Sequence, residues 1–196
     1  MDFFRIETKA PWGDYGGVLC RGFTSEPFRR NGQLVLCRTG PFVPPMTLPS
    51  TYLICTDALL PDFRTRFPSI EVRPVQKQHI AEVHWEQWSA AGPELPPEIP
   101  NAEPESLILD HPHSPECAAK MGELWEAVLP VGAEGEWERI SDYRSNLLIR
   151  SATWTGDELF VVSPTGIPIQ VAAASAAEWL IEHGAGYIDL KPLKNL

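Results

Sequence analysis

Short apolar runs divided by proline- and glycine-rich turns dominate the pattern of this chain, and one succession of runs occurs twice. In the second half, residues 158–162 and 167–171 form two strand-like runs on either side of a Pro/Gly turn. An alanine-rich helical stretch and the closing run 186–193 follow. In the first half the order is Gln33–Cys37, a proline-rich turn, Tyr52–Cys55, a helical stretch, then residues 69–75. The endings agree at six successive positions. Ile70 to Val75 and Ile188 to Leu193 each read apolar, acid, apolar, base, proline, apolar. Two ββαβ-like units are expected from this, and with them an α+β fold: a mixed or antiparallel sheet framework, a few helices and long proline-rich loops.

The remaining pattern fills in around that frame. Phe3 to Ile6 alternates and predicts an opening strand, Pro11 to Gly17 reads as turn, and Val18 to Cys20 as the start of another strand. Residues 23–31 carry no regular period, but Asn31-Gly32 is a hairpin signal ahead of Gln33. Thr56 is placed to cap a helix into which Pro61 falls, so that helix is short, broken, or begins near Pro61. Ala81, Val83 and Trp85 share one face of a strand over residues 79–88. Ser114, Pro115 and Glu116 make a helix start, and Cys117, Met121, Leu124, Trp125, Val128 and Leu129 recur at helical spacing behind it, with Glu116, Glu123 and Glu126 facing outwards. Ser145 to Arg150 reads as a strand entering the second unit. A helix from Ala173 to His183 precedes the final strand, where Pro192 suits an edge or an end. The division expected is one domain, with an N-terminal unit (1–90), an acidic connector plus helix (91–140) and a C-terminal unit (141–196).

Charge changes the picture. The net charge is −10, yet from Glu86 to Glu138 twelve acids face a single base, Lys120, while the rest of the chain holds fourteen acids and fifteen bases. The middle therefore carries the whole imbalance. Phosphate backbones are repelled by such a surface, which excludes nucleic acid as the expected partner. No apolar run approaches the roughly 20 residues of a membrane-spanning helix, and residues 1–7 lack the basic start and apolar centre of a secretory signal. A cytoplasmic location is expected, with no membrane partner.

Candidate chemistry is sparse. Cys20, Cys37, Cys55 and Cys117 contain no C-x-x-C pair, and reduced, mostly buried thiols are expected. Cys20 beside Arg21 is the best nucleophile on electrostatic grounds, because a cation lowers a thiol pKa. His111, His113 and Cys117 are three metal-capable side chains without a fourth nearby, so no metal is expected. No phosphate loop, H-E-x-x-H or G-x-S-x-G is present, and no cofactor or catalytic residue is expected. The alternatives left open are a small hydrolase or transferase using Cys20 or the His111/His113/Cys117 cluster, and a non-catalytic scaffold or adaptor. The acidic middle offers a docking face for a basic protein, with Trp85 and Trp88 as anchors and Glu86, Glu94, Glu98, Glu103 and Glu105 as steering charges.

Several stretches carry a family resemblance. Phe3 to Ile6, Gly40-Pro41-Phe42 ahead of Tyr52 to Leu59, Ile70 to Val75, His113 to Cys117, and Gly156 to Phe160 leading to a strand, a helix and a proline-containing last strand together resemble the double-CXXCG proteins. Those are immunity proteins of bacterial polymorphic and swarming-inhibitor toxin systems. Neither CXXCG knuckle is present here, so the family's zinc is not carried over. What the resemblance implies is the role: binding and neutralising one cognate toxin in competition between bacteria.

Overall fold

The computed structural model describes residues 1–88, 103–141 and 144–196. In chain order its elements are β1 (Phe3–Thr8), α1 (Gly13–Arg21), β2 (Phe23–Arg30), β3 (Gln33–Gly40), β4 (Met46–Thr47), β5 (Leu53–Thr56), α2 (Leu60–Arg66), β6 (Glu71–Pro74) and β7 (Gln76–Glu82). Then come α3 (Ser106–Leu109), α4 (Pro115–Lys120), β8 (Leu124–Val128), β9 (Glu134–Ser141), β10 (Arg144–Arg150), β11 (Leu159–Val162), β12 (Ile169–Ala173), α5 (Ala174–His183), β13 (Ile188–Pro192) and β14 (Lys194–Asn195). The fold is α+β, with mixed and antiparallel sheets and short helices.

Two four-stranded sheets repeat one plan. In the first, ordered β11-β12-β1-β13, β1 lies between β12 and β13 and is antiparallel to both. In the second, ordered β4-β5-β8-β6, β8 occupies the same place between β5 and β6. Each is a hairpin, a crossover helix and a returning strand, with one strand from elsewhere in the chain inserted. The helices α5 and α2 face each other across a shared core. Phe63 and Phe67 of the α2 segment meet Trp179 of α5 at ring-centroid distances of 5.9 and 5.1 Å. Ile70, Val72, Ile188 and Leu190, the matched apolar positions of the two endings, all belong to this one cluster. Arg66 joins the units, its Nη2 donating to Glu158 Oε1 at 2.8 Å.

The first strand of the first unit is a correction. Gln33–Cys37 belongs to β3, which pairs with β2 and β7 in a separate sheet, and the hairpin partner of β5 is the two-residue β4. Prolines flank Met46–Thr47, the two residues of that loop that pair as a strand, while the Leu48 N–H donates to Thr8 Oγ1 at 3.4 Å. Seven of the eight residues of β3 are buried, so it needs cover on both faces.

Four further expectations are overturned. The helix after Ser114 starts as expected, with Ser114 Oγ accepting from the Cys117 N–H at 3.2 Å, but it ends at Lys120. Gly122 takes φ +67°, a conformation that stops a helix, and residues 124–128 continue as β8. Glu126 therefore points inward. Residues 13–21 form a helix where turn and strand were expected, because Gly16 lets the chain close against Pro11: a Cβ there would stand 1.4 Å from the Pro11 carbonyl oxygen. Residues 23–30 form β2 despite their irregular pattern. Arg144–Arg150 does not enter the second unit but pairs with β9 and β14. The strand expected over residues 79–88 is β7, which stops at Glu82, short of Trp85. Three expectations hold. The α2 helix begins at Leu60 with Pro61 in its first turn, Asn31-Gly32 closes the β2–β3 hairpin with φ +52° and +82°, and Pro192 ends the edge strand β13.

Candidate functional site

Trp85 and Trp88 stand at the end of β7, on a single 3₁₀ turn, Trp85–Gln87. Trp85 is only 2% exposed. Its Nε1 donates to Thr39 Oγ1 at 3.1 Å, and that hydroxyl donates to the Leu19 carbonyl at 2.9 Å. Two hydrogen bonds thus fix its indole to β3 and α1. Trp85 is therefore a fixed wall and not an exposed anchor. Trp88 is half-buried and packs edge-on against Trp12 at 5.8 Å.

Between them lies a pocket of about 350 Å³ lined by Lys9, Ala10, Pro11, Trp12, Trp85, Glu86, Trp88, Gly186 and Tyr187. Its volume falls in the range of small-ligand and side-chain pockets, and its walls are mostly aromatic. Trp85 meets Tyr187 at 6.1 Å, and Phe42 braces both rings from behind at 5.1 and 6.0 Å. The Lys9 N–H donates to the Tyr187 carbonyl at 2.8 Å and closes the wall. Two features set this pocket apart from a packing defect. Trp12 holds φ +63°, a left-handed backbone that a bulky side chain adopts only under constraint. Its Nε1 is also shielded from water with no acceptor among the described residues, and a buried donor left unpaired costs about 1–3 kcal/mol.

One acidic residue, Glu86, lines the pocket. His84 lies between Glu82 and Glu86, its ring nitrogens 3.4 and 3.3 Å from their oxygens. Glu103 and Glu105 are exposed at the start of α3, whose Leu107 and Ile108 share a core cluster with Trp85 and have Trp88 packed against it. Of the residues singled out in the sequence, Trp85, Glu86 and Trp88 are thus brought together, with Glu103 and Glu105 just ahead of α3; Glu94 and Glu98 lie outside the described residues. Trp12 and Tyr187 were missed. The signals were Trp12 between Pro11 and Gly13, and Tyr187 after Gly186, but nothing local joins positions so far apart in the chain.

The other candidates have structural work. Cys20 is fully buried in α1, and burial pushes its thiol up to about 12, opposed by the charge of Arg38 rather than that of Arg21. Arg38 is itself fully buried. It donates from Nε to the Thr39 carbonyl at 2.9 Å and from Nη2 to the Cys20 carbonyl at 3.2 Å, and burial lowers its pKa to about 10. Cys117 is buried under β3, and burial raises its thiol also. His113 Nδ1 accepts from the Ile80 N–H at 3.0 Å, and His111 Nδ1 donates to the Leu107 carbonyl at 2.6 Å. Among the described residues no group of three or more His, Cys, Asp or Glu is arranged to hold a metal ion, and no helix is long and apolar enough to cross a membrane. Compared with family models, curated proteins and solved structures, the chain gives no match.

Proposed function

We propose that this chain is an immunity protein of bacterial competition, which binds and neutralises a cognate toxin of basic surface in the cytoplasm without catalysis of its own. The observation that carries this reading is the convergence of Trp12, Trp88 and Tyr187 on one surface pocket lined also by Glu86, in a part of the chain where Glu82, Glu103 and Glu105 are exposed. Aromatic side chains held in place by their neighbours supply contact area at little entropic cost, and carboxylates around them speed encounter with a basic partner. The enrichment of charge fits that division of labour. Glu86 lines the pocket, whereas the acids of β9 pair with Arg150 and Lys194 on a different sheet.

The test is protection. Co-expression with the cognate toxin is expected to restore growth, and Trp88→Ala is expected to weaken that protection while circular dichroism stays unchanged. Full protection by Trp88→Ala, or no protection by the wild type, contradicts the proposal.

A further inference from the structure

We infer that the aromatic pocket receives one arginine side chain of the partner, an assignment that rests on the docking role proposed above and names what the pocket itself takes. Two observations point the same way. The walls are indole and phenol rings, Trp12, Trp85, Trp88 and Tyr187, whose faces attract a cation and stack on a planar guanidinium. Glu86 also lines the pocket, and among the described residues its carboxylate meets His84 at 3.3 Å, a long and exposed contact.

An arginine satisfies both, its guanidinium reaching the rings and Glu86. A leucine or phenylalanine would fill the space but leave Glu86 without a cation. An acidic side chain would be repelled by Glu86. Lys9 also lines the pocket, and its ammonium contributes the smallest part of the lowering of the Asp189 carboxyl, which the hydrogen bond from Lys191 dominates. Trp12 takes its positive φ at the N-cap of α1, with its ring against that of Trp88.

The test uses Nα-acetyl-arginine amide as the probe and the ¹⁵N-labelled indole N–H of Trp12 as the readout, assigned by its loss in Trp12→Phe. A saturable downfield shift of that resonance is expected. The isosteric neutral probe Nα-acetyl-citrulline amide is expected to bind about 3- to 30-fold more weakly, the range a cation–π contact spans. Glu86→Gln should weaken the arginine probe and leave the citrulline probe unchanged. Equal binding of the two probes, or no shift of the Trp12 indole up to the solubility limit of the arginine probe, overturns the assignment. These failures are separable from failure of the docking role. If the arginine probe does not bind but Trp88→Ala still abolishes protection of cells, the face docks a partner through other contacts. If the arginine probe binds but no variant affects protection, the pocket takes arginine and the toxin docks on another face.

Discussion

Glu126 stands among twelve acids of a strongly charged stretch, yet its side chain is only 3% exposed and both its oxygens are held by Arg29, one at 2.7 Å. The bond raises the Arg29 pKa, the hydrogen bond to Glu126 being the main cause. Removing one side of a buried, bidentate pair leaves the other poorly satisfied. Glu126→Gln is therefore expected to cost about 1–3 kcal/mol, less than a fully buried pair because Arg29 is one-third exposed. Urea melts of the two proteins measure it. Leu124, two residues earlier and fully buried, should cost about 2–5 kcal/mol as Leu124→Ala, since its cavity forms among Leu34, Leu36 and Met121. A loss under half a kcal/mol (about a factor of two in the folding equilibrium) would mean that β8 is not seated in the core. In sequence, Glu126 cannot be told from the solvated Glu123 or Glu134. Its partner is 97 residues away, and only the fold brings the two together.

Elements were legible where local pattern and packing agreed. The α5 helix, the Asn31-Gly32 hairpin and the closing strand all follow from capping, turn and alternation signals read over a few residues. The helix α1 did not follow, because Val18, Leu19 and Cys20 look like a strand. What makes them helical is the fit of Gly16 under Pro11 and the burial of one face. Strand β9 was missed for the opposite reason: its alternating glutamates give no apolar signal, and it is held as an exposed strand against β10. The run 117–129 showed helical spacing by coincidence, since one turn of α4 and the period-two burial of β8 together mimic a stripe. The link between the two repeat units gives a pH prediction. The hydrogen bonds from Arg66 hold the Glu158 carboxyl below its usual 4.5. A depressed carboxylate stabilises the folded state above its unfolded pKa, and that stability is lost as pH falls below about 4.5 and through the depressed value. Glu158→Gln should therefore melt lower than wild type at pH 7 and converge with it in acid. With both side chains about one-third exposed, the gap at neutral pH should be at most about 1 kcal/mol. Parallel acid limbs for the two proteins would show that the link contributes nothing.

At the scale of the whole molecule, the repeat seen in the class pattern is real as a plan of two sheets, while the partner strands that complete them, β1 and β8, come from outside the repeated segments. No local period announces such an insertion, which is why the sequence led to Gln33–Cys37 in place of Met46–Thr47. The same interleaving builds the candidate site. Trp12 follows β1, Trp85 and Trp88 follow β7, and Tyr187 precedes β13, so one pocket draws on both halves of the chain. The acidic character of the face was legible as composition; the pocket was not, because it depends on Trp12 and Tyr187 arriving from opposite ends.

The most direct test of the docking face is the kinetics of binding to the cognate toxin, read by surface plasmon resonance at two salt concentrations. Reversing Glu94, Glu98, Glu103 and Glu105 to Lys is expected to slow association and to flatten its salt dependence while leaving dissociation nearly unchanged, as steering charges do. Trp88→Ala is expected to do the reverse, speeding dissociation about 10-fold or more with association little altered. Wild-type rates in both variants would contradict the assignment and place the toxin-binding surface elsewhere on the molecule.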